Sequence, residues 1–265
     1  MKIALVSLNQ SWEDKDGNLL QCETYIESAS NSNLKLIIFP EMTLTGFSMN
    51  IAKTAEDEDN SHTIKSFQKL AKKYNIAIVF GATIKENKEK SSNRAFFIDD
   101  RGNILNNYTK VHPFSLANED QFFIAGDELC VVDYLDIKFA ITICYDLRFA
   151  ELYSVLSKKC DAIINIANWP EKRVEHWNAL LKARAIENQL YTIGVNRTGT
   201  DGNQLTYAES SNIFDANGES VQYLLEQKNM KIYEIDRQFT KEFQQTFNTT
   251  QDKKNDLYKK WLANN

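Results

Sequence analysis

Three side chains of complementary chemistry stand at the ends of apolar stretches of this chain. Glu41 closes Leu34-Lys-Leu-Ile-Ile-Phe-Pro-Glu41, Lys110 lies within Tyr108-Thr-Lys-Val-His-Pro-Phe114, and Cys144 opens Cys144-Tyr-Asp-Leu-Arg-Phe149 straight after Phe139-Ala-Ile-Thr-Ile143. A thiol is a natural nucleophile, but with an ordinary pKa of about 8.5 it is mostly protonated at neutral pH and needs a base or a positive field. A carboxylate supplies the first and an ammonium the second. Taken singly, each residue also has a plainer reading. A buried Cys is usually an inert small hydrophobe, a Glu after Pro a solvated turn, and a Lys at a strand end a surface charge. Only convergence of the three would make a reactive site.

The elements that must bring them together are legible in the apolar pattern. Short runs rich in β-branched residues recur at 3–8, 34–39, 76–83, 95–98, 104–108, 138–143, 162–167 and 191–195, each bounded by polar or Gly punctuation as buried strands are. Longer stretches with helical spacing lie at 19–30, 63–74, 147–157 and 174–189. Strands alternating with helices define an α/β protein. Shorter strands between 205 and 235 are expected on the far side of the same core, and 239–261 is apolar enough to dock on the body or on a second copy. The acidic stretch 55–60 reads as a solvated loop leading to a helix. The chain has 3 Pro, at Pro40, Pro113 and Pro170, and each should mark a turn that holds its shape. Ligands of α/β sheets gather outside the carboxyl ends of strands, where these turns fall.

Composition narrows the class. With 265 residues, 43% hydrophobic and 25% charged, the chain suits one large globular domain or two modest ones. Lys+Arg 31 against Asp+Glu 36 gives a net charge of −5 and no reason to expect a nucleic-acid partner. No apolar run approaches the roughly 20 residues of a membrane span, and the apolar start Met1-Lys-Ile-Ala-Leu-Val6 is too short for a signal peptide. Cys22, Cys130, Cys144 and Cys160 form no C-x-x-C, and His62, His112 and His176 form no H-x-x-x-H. A cytoplasmic protein with reduced thiols and no metal is the expectation. The 9 Gly are few, so few loops are expected to use positive φ.

Phe39-Pro-Glu41, Tyr108-x-Lys110-x-His112 and Cys144-Tyr-Asp-Leu-Arg148 together resemble the Glu–Lys–Cys signature of the nitrilase superfamily of carbon–nitrogen hydrolases. Asn168-Trp-Pro170 with Arg173, His176-Trp177 and Ala183-Arg-Ala-Ile-Glu-Asn-Gln189 resembles the ω-amidase branch, as does Asn196-Arg-x-Gly-x-Asp-Gly-Asn203. The resemblance covers roughly residues 1–236, which it implies to be one carbon–nitrogen hydrolase domain of α/β class, a four-layer αββα sandwich of the nitrilase type. Residues 237–265 are then a C-terminal extension packing on the body or on a partner subunit. Amide hydrolysis of a small molecule through a cysteine thioester, no cofactor, and a homodimer or larger assembly are implied with it.

Within that resemblance the roles follow from chemistry. Cys144 attacks, its sulfur facing the positive end of the helix it opens. Glu41 takes the thiol proton and returns it to leaving ammonia, while Lys110 and the Tyr145 backbone N–H hold the oxyanion. Glu119, in Leu116-Ala-Asn-Glu119, matches a second family glutamate that helps place Lys110 and the attacking water. His112 and His176 fall in blocks where the family uses His for packing or hydrogen bonding, which argues against a Cys–His hydrolase.

Arg173 either clamps a substrate carboxylate or is a solvated helix arginine. Tyr145, Trp169 and Asn168 are expected around the substrate, with a core role as the rival reading for Trp169. A working clamp implies a short dicarboxylic monoamide such as 2-oxoglutaramate, 2-oxosuccinamate or succinamate. The alternatives are an N-carbamoyl-amine amidohydrolase, a deaminated-glutathione amidase, and, outside enzymes, a non-catalytic scaffold. Glu209 stands where relatives have Gly and is expected to change a loop near the pocket. Pro113 stands where Leu is usual and stiffens the segment after Lys110.

Overall fold

The structure, a computed structural model, describes residues 1–263. The first half of the chain runs β1 (Lys2–Val6), α1 (Lys15–Asn31), β2 (Leu36–Ile38), the short α2 (Ile51–Thr54), α3 (His62–Tyr74), β3 (Ala77–Lys85), β4 (Ser91–Ile98), β5 (Ile104–Thr109) and the one-turn α4 (Glu119–Phe122). The second half runs β6 (Val131–Tyr134), β7 (Ile137–Ile143), α5 (Ala150–Leu156), β8 (Ala162–Ala167), α6 (Val174–Asn188) and β9 (Tyr191–Asn196). The small strands β10 (Gly199–Thr200), β11 (Thr206–Tyr207), β12 (Asn212–Phe214), β13 (Leu225–Gln227) and β14 (Met230–Glu234) follow, then α7 (Arg237–Thr246) and α8 (Asn255–Leu262). No helix among the described residues is long and apolar enough to cross a membrane.

Two sheets stack face to face. One has the order β13-β14-β1-β2-β3-β4-β5 and the other β12-β9-β8-β7-β6. Strands β1, β2 and β3 are parallel neighbours in the first sheet, as are β7, β8 and β9 in the second; the flanking pairs are antiparallel. Alternate residues serve alternate faces. Ile3 and Leu5 of β1 point into the layer between the sheets, with Ile141, Ile143, Ile164 and Ile166 opposite, whereas Ala4 and Val6 face α1 and α3. On the other sheet, Ala140, Ile163 and Ala167 pack under α5 and α6 through Leu156, Trp177 and Leu181. The strands are covered on both faces, which explains why they read as unbroken apolar runs. The result is the expected αββα sandwich.

Several expectations need correction. The helix expected over 147–157 begins only at Ala150, because Cys144–Arg148 is a 3₁₀ turn and Phe149 between them is extended (φ −104°, ψ 97°). Strand β6 and the β10–β11 hairpin are too short for the period-2 pattern to reveal. Strand β14 lies beside β1 rather than on the far side of the core. The acidic loop is more than solvated: Glu56 accepts from Lys15, Ser61 and Thr63 and so ties the start of α3 to α1. Positive φ is not scarce either, since Asn33, Asn75 and Asn118 adopt it, as Asn tolerates.

The described residues of the segment from 237 onward are tied to this chain's own body. Gln244 donates to the Gln189 carbonyl, the Thr249 N–H donates to Gln189 Oε1, and Lys253 donates to Ser154 and Asn188. Residues 264 and 265 of the extension lie outside the described residues.

Candidate active site

Glu41 leaves the carboxyl end of β2 in a loop held from several sides. The Gln10 carboxamide donates to the carbonyls of Glu41, Met42 and Thr43, at 3.0, 3.0 and 3.1 Å. The Thr43 N–H donates to the Gly81 carbonyl on β3, and the Gly81 N–H donates to Thr43 Oγ1. Gly81 is needed there, because a Cβ at that position would lie 2.5 Å from Met42 N. Met42 itself adopts φ +45°, a conformation that costs a non-Gly residue about 1–3 kcal/mol and persists only where surroundings impose it. The loop presents the Glu41 carboxylate inward, fully buried.

Lys110, just past β5, donates to Glu41 Oε1 at 3.0 Å and to Glu119 Oε1 and Oε2 at 3.1 and 2.8 Å. All three charges are shielded from solvent, at 1% exposure or less. Burial alone would lower the Lys110 pKa, but Glu119 and Glu41 beside it outweigh that and raise it, so the ammonium stays charged. Glu119 also accepts from the Phe114 N–H at 2.6 Å. Asn93 on β4 donates to Glu41 Oε1 at 2.7 Å and to Glu119 Oε1 at 2.9 Å, and its backbone carbonyl accepts the Lys110 N–H.

Cys144 follows β7 with φ +47° and opens the five-residue 3₁₀ turn. Burial first and then the Glu41 charge push its thiol well above the usual range, against the pull of Lys110. The turn that Cys144 opens is a short 3₁₀ turn rather than the expected helix, and the charges that act on the sulfur are those of Glu41, Lys110 and Glu119. The sharp turn is braced by Asp146, fully buried, which accepts from the Ile143 N–H, the Tyr108 hydroxyl, the His112 N–H and His112 Nδ1 at 2.7–3.0 Å. Asp146 therefore fastens the Cys144 turn to the segment carrying Lys110. His112 stacks on Phe149 at 3.7 Å, and His176 lies 3.4 Å from Arg148. Both histidines pack and bond, as expected.

A cavity of about 140 Å³ opens onto Cys144. Tyr145, Asn168, Trp169 and Arg173, the residues expected around a substrate, all line it, and so does Arg148. Their duties differ from expectation in two cases. Asn168 is mainly a holder of Glu41: its N–H donates to Glu41 Oε2 at 2.9 Å and its Nδ2 to the Glu41 carbonyl at 2.7 Å. Trp169 serves both readings, lining the cavity while packing on Trp177 and donating its indole N–H to the Arg173 carbonyl. The Arg173 guanidinium lies over the Phe114 ring and that of Arg148 over the Trp169 ring. Glu209 does not reach the cavity; it pairs with Lys231 and accepts from Ser7. Cys22, Cys130 and Cys160 also lie outside the cavity lining, with burial raising each thiol.

Sequence reasoning missed Gln10, Gly81, Asn93 and the cavity role of Arg148. Asn93 left a signal: Ser91-Ser-Asn93 is a polar run, yet all three residues are buried within a strand. Asn93 is buried there because its carboxamide has the carboxylates of Glu41 and Glu119 to serve.

Residues 2–245 match the carbon–nitrogen hydrolase family model. The chain is 35% identical over 219 residues to omega-amidase YafV of Yersinia enterocolitica, covering 83% of each protein. It is 29% identical to the 2-oxoglutaramate amidase of Bacillus subtilis, covering 97% of this chain and 98% of that one. Among solved structures it resembles XC1258 of Xanthomonas campestris, described as a CN-hydrolase superfamily protein with an arsenic adduct in the active site. The TM-score is 0.87 at 29% identity, over 96% of this chain and 97% of the other.

Proposed function

Because the chain belongs to the carbon–nitrogen hydrolase family, we propose that it is an ω-amidase, hydrolysing the terminal amide of a short dicarboxylic monoamide such as 2-oxoglutaramate, 2-oxosuccinamate or succinamate. The observation that carries this reading is one cavity lined both by Cys144, coupled to Glu41 and Lys110, and by the guanidinium groups of Arg148 and Arg173. An amide carbon at the sulfur leaves the far carboxylate of such a molecule to a cationic partner. The relatives named ω-amidase and 2-oxoglutaramate amidase support the same substrate class.

The reaction has two halves. Cys144 Sγ bonds to the amide carbon as its proton passes to Glu41. Lys110 Nζ and the Tyr145 N–H, an early N–H of its turn with no partner within it, hold the oxyanion. The tetrahedral adduct collapses, the C–N bond breaks, and the proton on Glu41 leaves with ammonia. Water then attacks the thioester carbon, giving one proton to Glu41. The adduct collapses to the acid, and the thiolate recovers its proton. Glu119 holds Lys110 throughout.

Residues 1–236 form the hydrolase body in this reading and 237–265 a C-terminal extension whose described residues are laid on it, supported by the Gln189 and Lys253 bonds. The enzyme works in the cytoplasm, where its thiols stay reduced, and as a homo-oligomer; light scattering of the purified protein tests the latter. Steady-state ammonia release from succinamate and 2-oxoglutaramate is compared with that from propionamide, N-carbamoyl amines and nitriles. Preference for the monoamides bearing a carboxylate is expected, and activity confined to carbamoyl amines or nitriles would overturn the assignment.

A further inference from the structure

We propose that Asn93 is a positioning residue of the hydrolysis: its carboxamide fixes which oxygen of Glu41 carries the proton and ties the Glu41 and Glu119 carboxylates together around Lys110. The inference rests on Glu41 acting as the base. A carboxylate oxygen has two lone pairs to offer. Glu41 Oε1 gives one to Lys110 at 3.0 Å and the other to Asn93 Nδ2 at 2.7 Å. Glu41 Oε2 accepts the Asn168 N–H at 2.9 Å, with the Asn168 Nδ2 only marginally close at 3.5 Å. The vacant lone pair is therefore on Oε2, and the thiol proton goes there.

The same carboxamide also serves the partners of the ammonium. Lys110 has three N–H donors and two carboxylates competing for them. Asn93 supplies Oε1 of Glu41 and Oε1 of Glu119 from one nitrogen, so neither oxygen depends on the ammonium alone. Without it, Lys110 alone would hold both oxygens, and the two carboxylates would lose their shared tie to β4. The carboxamide cannot turn over, because its Oδ1 would then meet two carboxylate oxygens at hydrogen-bond distance. As placed, Oδ1 is buried with no hydrogen-bond partner among the described residues, while both carboxamide hydrogens go to the two carboxylates. The charged or titratable groups facing this nitrogen are Glu41 from the loop after β2, Lys110 from beyond β5 and Glu119 from α4, with Cys144 electrostatically coupled to all three.

The test measures kcat and KM on succinamate, the pH profile of Cys144 alkylation by iodoacetamide, and the melting temperature, for wild type, Asn93→Ala and Asn93→Ser. Asn93→Ala should lower kcat by about 10- to 100-fold, as expected for a lost hydrogen bond to a charged group, with KM within about threefold of wild type. Its alkylation profile should be displaced from that of wild type, because Asn93 donates to the carboxylate that takes the thiol proton. Asn93→Ser keeps one donor and should fall between. A lowered melting temperature with an unmoved alkylation profile would overturn the proposal, as would wild-type kcat in Asn93→Ala. Alkylation needs no substrate, so a wild-type protein inert toward monoamides would defeat the ω-amidase reading while the profile still decides on Asn93.

Discussion

Substituting Gly81 by Ala separates folding from catalysis in a way the geometry makes quantitative. The new Cβ would sit 2.5 Å from Met42 N, 3.0 Å from Glu41 Cα and 3.1 Å from Glu41 C. Ordinary contacts begin near 3.4 Å, so something must retreat by up to about 0.9 Å. Strand β3 is hydrogen-bonded to β2 on one side and β4 on the other, so the Glu41 loop yields. Overpacking of this kind costs about 1–3 kcal/mol, which for a domain of this size lowers the melting temperature by about 2–10 °C. A misplacement near 1 Å costs about 100-fold in rate. The assay pairs ammonia release from succinamate with calorimetry: kcat should fall by about two orders of magnitude while the protein still unfolds in one cooperative transition. A variant with lowered stability and undiminished kcat would refute the claim that this backbone approach sets the Glu41 position.

Other outcomes follow from the same structure. Gly202→Ala would drive a Cβ to 2.5 Å from the Trp12 indole and displace the hairpin that forms one wall of the cavity, so KM for succinamate should rise about three- to tenfold with kcat little changed. Asp146→Asn replaces an acceptor of four donors by a group that must turn its NH₂ toward some of them; urea unfolding should show a loss of about 1–3 kcal/mol. Stability should also fall in alkali. Cys130 and Cys160 are pushed up to about 12, so above their unfolded value near 9.0 the unfolded chain releases protons that the folded chain keeps. Their contribution is whole below pH 9 and is lost as pH rises toward 12, by at most about 1.4 kcal/mol per pH unit for each thiol, which melting curves across that range would read.

Much of the architecture was visible in the residues because doubly covered strands such as Ala162–Ala167 must be apolar on both faces. The Glu41, Lys110 and Cys144 positions were visible because each follows such a run. Hidden from the sequence was what holds them. Strand β4 was expected only from Ala95, since Ser91-Ser-Asn-Arg94 is polar; its neighbours across the fold are the charges that make polarity there favourable. The 3₁₀ turn at Cys144 was hidden too, because the bonds that shape it join Asp146 to Tyr108 and His112, far away in the chain. Gly81 and Gln10 act through backbone proximity, which leaves no periodic trace. Arg148 ends the Cys144-Tyr-Asp-Leu-Arg148 motif, but only the fold turns it toward Trp169 and the cavity.

The most direct measurement is intact-protein and peptide mass spectrometry after acid quenching during turnover of succinamate. A succinyl increment on the peptide carrying Cys144, absent from Cys144→Ala and from the peptides carrying Cys22, Cys130 and Cys160, is the predicted result. Continued turnover by Cys144→Ala, or an acyl group on another cysteine, would contradict the account at its root.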